Sequence, residues 1–170
     1  MSQTTHPNHD AYDHEGLDKV RSLIEDMRTC MLTSVDLTGG LVARPMATQE
    51  VEFDGDMWFF SEADAPKVAN IEADPRVNVG FVDDSVWVSV KGQADIVRDD
   101  AKKEELWNPF AAAWFTGGPS DPNIVLIRVH AESAEYWDSP GKVATAIAMV
   151  KTKIAGGTPD VGDNETVDLQ

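Results

Sequence analysis

Positive charge is scarce in this chain. Fourteen Lys and Arg stand against thirty Asp and Glu in 170 residues, a formal charge of −16. Nucleic-acid phosphates are held by clustered Lys and Arg, so no nucleic-acid partner is expected. The same shortage argues against a polybasic membrane-surface protein. No apolar run approaches the roughly 20 residues that span a bilayer. Met1-Ser2-Gln3-Thr4-Thr5-His6 has neither the basic nor the apolar region of a secretory signal, and a cytoplasmic location is the expectation. Cys30 is the single cysteine, so no internal disulfide forms; among apolar and β-branched neighbours it reads as a small buried hydrophobe.

Most enzyme signatures are missing too. There is no Gly-rich dinucleotide or phosphate loop, no serine nucleophile elbow and no Cys/His pattern with zinc spacing. His6, His9 and His14 lie in the acidic N-terminal stretch, and no metal site is expected of them. His130, the remaining histidine, reads as a strand-surface residue.

What the chain does have is enough length for one domain with a core of its own. Much of the acidity sits at its ends. Residues 1–18 hold Asp10, Asp13, Glu15 and Asp18 without a Lys or Arg, and 155–170 hold Asp160, Asp163, Glu165 and Asp168, again without one. Residues 1–16 and 155–170 are expected to be solvated, disordered tails around a domain of 17–154. Setting these eight acids aside leaves 22 against 14 bases, a balance of −8.

Within the domain, Val20, Leu23, Ile24 and Met27 recur at helical spacing and predict a helix over 17–28. Short strand-like runs follow at 30–35, 41–47, 49–53 and 57–61, the last two separated by a hairpin signal at Asp54-Gly55-Asp56. A short helix from Asp64, with Pro66 in its first turn, is stopped by Asp74-Pro75. Strands at 76–82 and 85–97 come next, with a bulge or bend at Gly92. Asp99 caps a helix to Trp107, residues 111–122 read as a loop with aromatic anchors, and a strand from Ile124 extends towards Trp137. A last helix is expected from Ser139-Pro140 to Gly156-Gly157. Six or seven short strands with hairpin-scale gaps and single helices between them predict a small β-barrel with peripheral helices. Most gaps are too short for the crossovers of a parallel sheet.

Two of the few cations stand beside turn-forming residues. Arg44 precedes Pro45 and Met46, and Lys67 falls in the first turn of a helix whose preceding strand ends at Ser61. A strand-end hydroxyl, helix N-terminal amides and two cations would together hold a phosphate monoester. A lysine there opposes the helix macrodipole, a small cost that an anion would offset. Ordinary surface ion pairing is the competing reading of the same residues.

Arg44-Pro45-Met46, Trp58-Phe59-Phe60-Ser61, Lys67, Asp74-Pro75 and Val88-Ser89-Val90-Lys91-Gly92 occur in that order, with Glu135-Tyr136-Trp137 near the end. In these the chain resembles the FMN-binding split barrels related to pyridoxamine phosphate oxidase. Trp107-Asn108-Pro109, Trp114-Phe115 and Gly117-Gly118-Pro119-Ser120-Asp121-Pro122 make it similar to the bacterial general stress protein branch. The resemblance spans residues 17–150; each motif alone is weak, and their order and spacing carry it.

The resemblance implies a mainly β fold with peripheral helices, a six- to seven-stranded antiparallel split β-barrel of the FMN-binding type. It implies that Arg44, Pro45, Met46 and Ala47 meet the flavin and its phosphate. Phe60 and Ser61 at the strand end, with Lys67, are implied at the phosphate. Trp87 stands where the oxidase has a glutamine near the flavin, and Trp137 matches a residue that reaches FMN across a homodimer. The implied cofactor is FMN, with FAD as the alternative. The implied partners are a second copy, with flavin at the subunit interface, and a small-molecule electron donor or acceptor. The implied function is a reductase passing electrons from a nicotinamide cofactor to a small acceptor in a stress response. A flavin carrier, buffer or sensor without turnover is the alternative. No catalytic side chain is named, since flavin carries the redox chemistry. The oxidase binds pyridoxal phosphate with an Arg and a His soon after the Glu-aromatic-Trp motif. Here neither residue type occurs after Trp137, so vitamin B6 phosphate oxidation is not expected.

Overall fold

The structure, a computed structural model, describes residues 14–138 and 163–169. Helix α1 (His14–Ile24) opens it and buries Val20 and Ile24. It begins and ends earlier than the apolar spacing predicts. Glu15 and Asp18 suit the positive end of a helix dipole, whereas Glu25 and Asp26 would load its negative end.

Seven strands follow as one antiparallel sheet: β1 (Thr29–Val35), β2 (Leu41–Ala47), β3 (Asp56–Glu62), β4 (Arg76–Asp83), β5 (Val86–Val97), β6 (Ile124–Asp138) and β7 (Asp163–Asp168). Helix α2 (Pro66–Ala73) links β3 to β4; α3 (Asp100–Leu106) and α4 (Pro109–Trp114) lie between β5 and β6. The strand order is β2-β1-β4-β5-β6-β3, with β7 also on β6. β6 is long enough to serve two partners on one side, β3 along 124–130 and β7 along 133–138. β2 and β3 form the two ends of the ladder, and among the described residues no hydrogen-bonded pairing joins them. The result is a mainly β, split-barrel sheet that curls without closing.

Period-2 burial turns Leu32, Val79, Phe81, Val88, Val90 and Val129 to one face, where α1 and Ile71 of α2 pack. Cys30 joins this core; burial pushes its thiol pKa up to about 12, so it stays protonated. A smaller cluster builds Phe60, Leu106, Ala111, Ile124 and Leu126 onto the other side of β3 and β6. Lys103 is 2% exposed there, yet its ammonium donates to the carbonyls of Asp121 and Ile124 and pairs with Asp100. It thereby pins the loop leading into β6 to α3.

Several expectations need correction. Residues 163–168, assigned from composition to a disordered tail, form β7, and Val167 and Leu169 are buried in the main core. The free edge of β6 supplies hydrogen bonds and an apolar seat that composition does not reveal. Likewise His14, Glu15 and Gly16 belong to α1, not to a tail. The run 49–53 alternates like a strand but pairs with no strand among the described residues; its acids turn to Arg21 and Arg28. The turn at Asp54-Gly55-Asp56 exists, with Gly55 at φ +110, but leads into β3 from this irregular segment. Part of the expected loop 111–122 is helical, because Asn108 caps α4 and Pro109 suits its first position. At Gly92 the ladder does shift register, and a Cβ there would lie 2.2 Å from the His130 carbonyl oxygen. The helix expected over 139–157, and residues 1–13 with His6 and His9, lie outside the described residues.

Candidate functional site

The gap between the two sheet ends is a groove. A cavity of about 510 Å³ is lined by Pro45, Met46 and Ala47 of β2 and by Phe60, Ser61 and Glu62 of β3. Lys67 of α2 and the aromatic face of α4 complete it. β2 has a strand neighbour on one side only, so part of its backbone hydrogen-bonding capacity is turned to this opening. Gln49, just past β2, accepts from Asn108 Nδ2 at 2.8 Å and ties that strand end to the cap of α4.

Charge pairing singles out two residues beside the groove. Eleven of the fourteen Lys and Arg are described. Nine of them have a carboxylate oxygen within 4.0 Å: Lys19, Arg21, Arg28, Arg76, Lys91, Arg98, Lys102, Lys103 and Arg128. Among the described residues only Arg44 and Lys67 have no carboxylate at that distance. Arg44 donates from Nη1 to Ser34 Oγ at 2.9 Å, which leaves its other donors uncommitted. Lys67 lies below its ordinary pKa range: burial is the main cause, the charge of Arg44 adds to it, and Glu62 opposes it. Two cations that repel each other, in a chain with an excess of acids, are the reverse of ordinary surface pairing.

The start of α2 agrees with them. Ala65 at the N-cap offers no side-chain acceptor, Pro66 has no N–H, and the first turn contains no acid. α3 shows the usual arrangement, with the Asp99 carboxylate accepting from the amides of Ala101 and Lys102. The first turn of α2 thus has neither a side-chain cap nor an acid to complement its positive end. Ser61 fits this picture less well. It is 1% exposed, and its hydroxyl donates to the Glu62 carbonyl at 3.0 Å, so serving a ligand requires that hydroxyl to turn. The set of two cations, a hydroxyl and an uncapped helix start suits an anion of phosphate size.

Of the residues singled out in the sequence, Pro45, Met46, Ala47, Phe60, Ser61 and Lys67 line this groove, and Arg44 stands close enough to act on Lys67. Trp87 and Trp137 do not line it; they pair with each other in register on β5 and β6. They do share a sheet face with β2. Pro45, Met31, Gly80, Ser89 and Glu135 form one continuous row across five strands, and the two tryptophans lie two residues further along. At ~4.8 Å per strand, Trp87 is roughly 15 Å across the sheet from Pro45. Sequence reasoning missed Thr29, Gln49, Glu62, Phe110 and Ala111 as groove residues, and took Trp114 and Phe115 only as anchors. The signal for α4 was the aromatic content of 107–115 beside a good N-cap.

A second cavity, about 520 Å³, lies between α1, residues 48–53 and β3. Its cations, Arg21 and Arg28, are held by Glu52 and Glu50, so it offers no unpaired positive charge.

Comparison with known proteins agrees with this architecture. The model of the "pyridoxamine 5'-phosphate oxidase like" family matches residues 15–160. Protein bli-3 of Neurospora crassa is 30% identical over 155 residues, covering 84% of this chain and 74% of the fungal one. The general stress FMN/FAD binding protein of Xanthomonas citri is similar in structure at TM-score 0.63 and 33% identity, over 73% of this chain and 89% of that one. General stress protein 26 of Bacillus anthracis Sterne aligns at TM-score 0.62 and 26% identity, over 70% of this chain and 91% of its own.

Proposed function

The chain belongs to the pyridoxamine 5'-phosphate oxidase-like family, and from that premise we propose that it is a flavoprotein that binds FMN in the groove between β2 and β3. The phosphate lies at Arg44 and Lys67 with Ser61, and the flavin ring runs along Pro45, Met46 and Ala47. The observation that carries this reading is the pair of cations left without carboxylates in a chain of formal charge −16. The similar protein from Xanthomonas citri, described as FMN/FAD binding, supports the choice of a flavin.

The working unit is a homodimer. Met31, Leu41, Val82 and Trp87 are exposed large hydrophobics on strands of the same sheet, and a second copy covers them. Trp87 and Trp137 then meet the flavin held by the partner. Bound flavin supplies two-electron redox chemistry, and the chain's own residues hold the phosphate and fix the ring's position. The reaction is reduction of a small acceptor with electrons from a nicotinamide cofactor, in the cytoplasm and in a stress response. Oxidation of vitamin B6 phosphates is not part of it, since no Arg or His follows Trp137.

Two observations test the reading in sequence. The purified protein takes up FMN and quenches its fluorescence; a protein that does neither has no flavin function. Anaerobic addition of NADH or NADPH then bleaches the bound flavin. Flavin that is retained and stays oxidised makes the protein a carrier, buffer or sensor instead.

A further inference from the structure

Gln49 lies just past β2, at the end of the groove wall away from Arg44, and lines both cavities. Which end of its carboxamide is free follows from a chain of hydrogen bonds that starts in α4. The backbone amide of Ala111 is a donor, so the Asn108 atom it meets at 2.9 Å is Oδ1. The other Asn108 atom is then Nδ2, which donates to the Leu106 carbonyl at 3.4 Å and to Gln49 at 2.8 Å. A donor has to meet an acceptor, so the Gln49 atom in that bond is Oε1. Nε2 is left over, and among the described residues nothing accepts from it. The cap of a helix thereby decides that Gln49 offers N–H donors to a ligand, and not an oxygen. Asn108 itself lines neither cavity.

The two ends of a flavin ring differ in what they can receive. The pyrimidine end carries carbonyl oxygens and ring nitrogens that accept hydrogen bonds; the dimethylbenzene end carries no acceptor. Reduction adds negative charge to the pyrimidine end, so a donor placed there favours the reduced form. A ring running along Pro45, Met46 and Ala47 is directed from the cations towards Gln49.

We propose that Asn108 is a positioning residue: it holds the Gln49 carboxamide with Nε2 towards the groove, where that group donates to the pyrimidine end of the flavin ring. The proposal rests on the flavin reading above and deepens it by naming the residues that orient the ring and tune its potential.

Asn108→Asp tests it by reversing the polarity of Gln49. The variant keeps an oxygen for the Ala111 amide, and Asp is among the preferred N-caps, but it has no donor for Gln49. The Gln49 carboxamide is then expected to turn over, giving Nε2 to the new carboxylate and presenting Oε1 to the flavin. Anaerobic redox titration of bound FMN against a reference dye reads the result. The ratio of affinities for reduced and oxidised FMN should fall about tenfold in Asn108→Asp, equivalent to about 30 mV for a two-electron couple. Gln49→Ala, which only lacks the donor, should lower it about threefold. In the Gln49→Ala background, Asn108→Asp should change it by no more than about twofold. Gln49→Glu leaves the cap of α4 untouched, offers only oxygens and shifts the potential in the same direction, so it replaces Asn108→Asp if that variant does not fold. An equal fall with and without Gln49 overturns the proposal, because the new charge then acts on the flavin directly. A potential unmoved in the variants also overturns it and turns the carboxamide to the second cavity. A wild-type protein that takes up no flavin defeats the flavin reading and this proposal together, whereas bound flavin with an unmoved potential defeats this proposal alone.

Discussion

At the scale of single residues, the site is decided by what each charge lacks. Arg44 and Lys67 repel one another, and among the described residues neither has a carboxylate within 4.0 Å, whereas Glu62 is the one acid lining the groove. Glu62→Gln removes its repulsion of a bound phosphate and is expected to tighten FMN binding about two- to fivefold, read by fluorescence titration. A second consequence concerns pH. Burial and Arg44 lower the pKa of Lys67, and an anion in the groove favours its charged form. As pH rises, the free protein therefore loses this proton before an ordinary lysine would, and FMN affinity falls along with it. Lys67→Arg keeps its charge through this range and flattens the profile; equal slopes in wild type and variant would place the proton elsewhere. Arg44, Ser61 and Lys67 were legible in sequence because few cations exist and these two flank turn signals. The burial of Ser61 and the absence of a carboxylate within 4.0 Å of Arg44 and Lys67 among the described residues depend on three dimensions, which spacing along the chain does not report.

At the scale of elements, pairing overrides pattern. β7 contains a single apolar residue, Val167, and its composition is that of a solvated segment. It becomes a strand because β6 extends beyond β3 and offers a free edge at 133–138. Residues 49–53 show the converse, a strand-like alternation that joins no strand among the described residues. Longer segments with repeated apolar residues, such as β4 and β5, were readable because their period is held over many positions. If β7 is part of the packed domain, Leu169→Ala lowers stability by about 2 kcal/mol in urea denaturation. A midpoint indistinguishable from wild type would return these residues to the solvent.

At the scale of the whole molecule, the acidity that excludes nucleic acid also opposes the proposed cofactor. A formal charge of −16 repels a phosphate dianion at long range, and among the described residues Arg44 and Lys67 are the cations without a carboxylate that can attract it at the groove. Salt screens the long-range part first, so the association rate of FMN should rise several-fold between about 10 and about 200 mM salt. Cation-rich phosphate binders show the opposite trend. Fold class was legible from strand spacing and the family resemblance, whereas the position of the split was not: it follows from β2 and β3 ending the ladder without a partner. The central claim, that two unpaired cations hold a phosphate, is tested most directly by the affinity of FMN relative to riboflavin, which lacks that phosphate. Wild-type protein is predicted to prefer FMN by about 100-fold or more, and Arg44→Ala and Lys67→Ala each to lose at least about tenfold of that preference. Equal affinity for the two flavins, or a preference unmoved by both substitutions, would contradict the account.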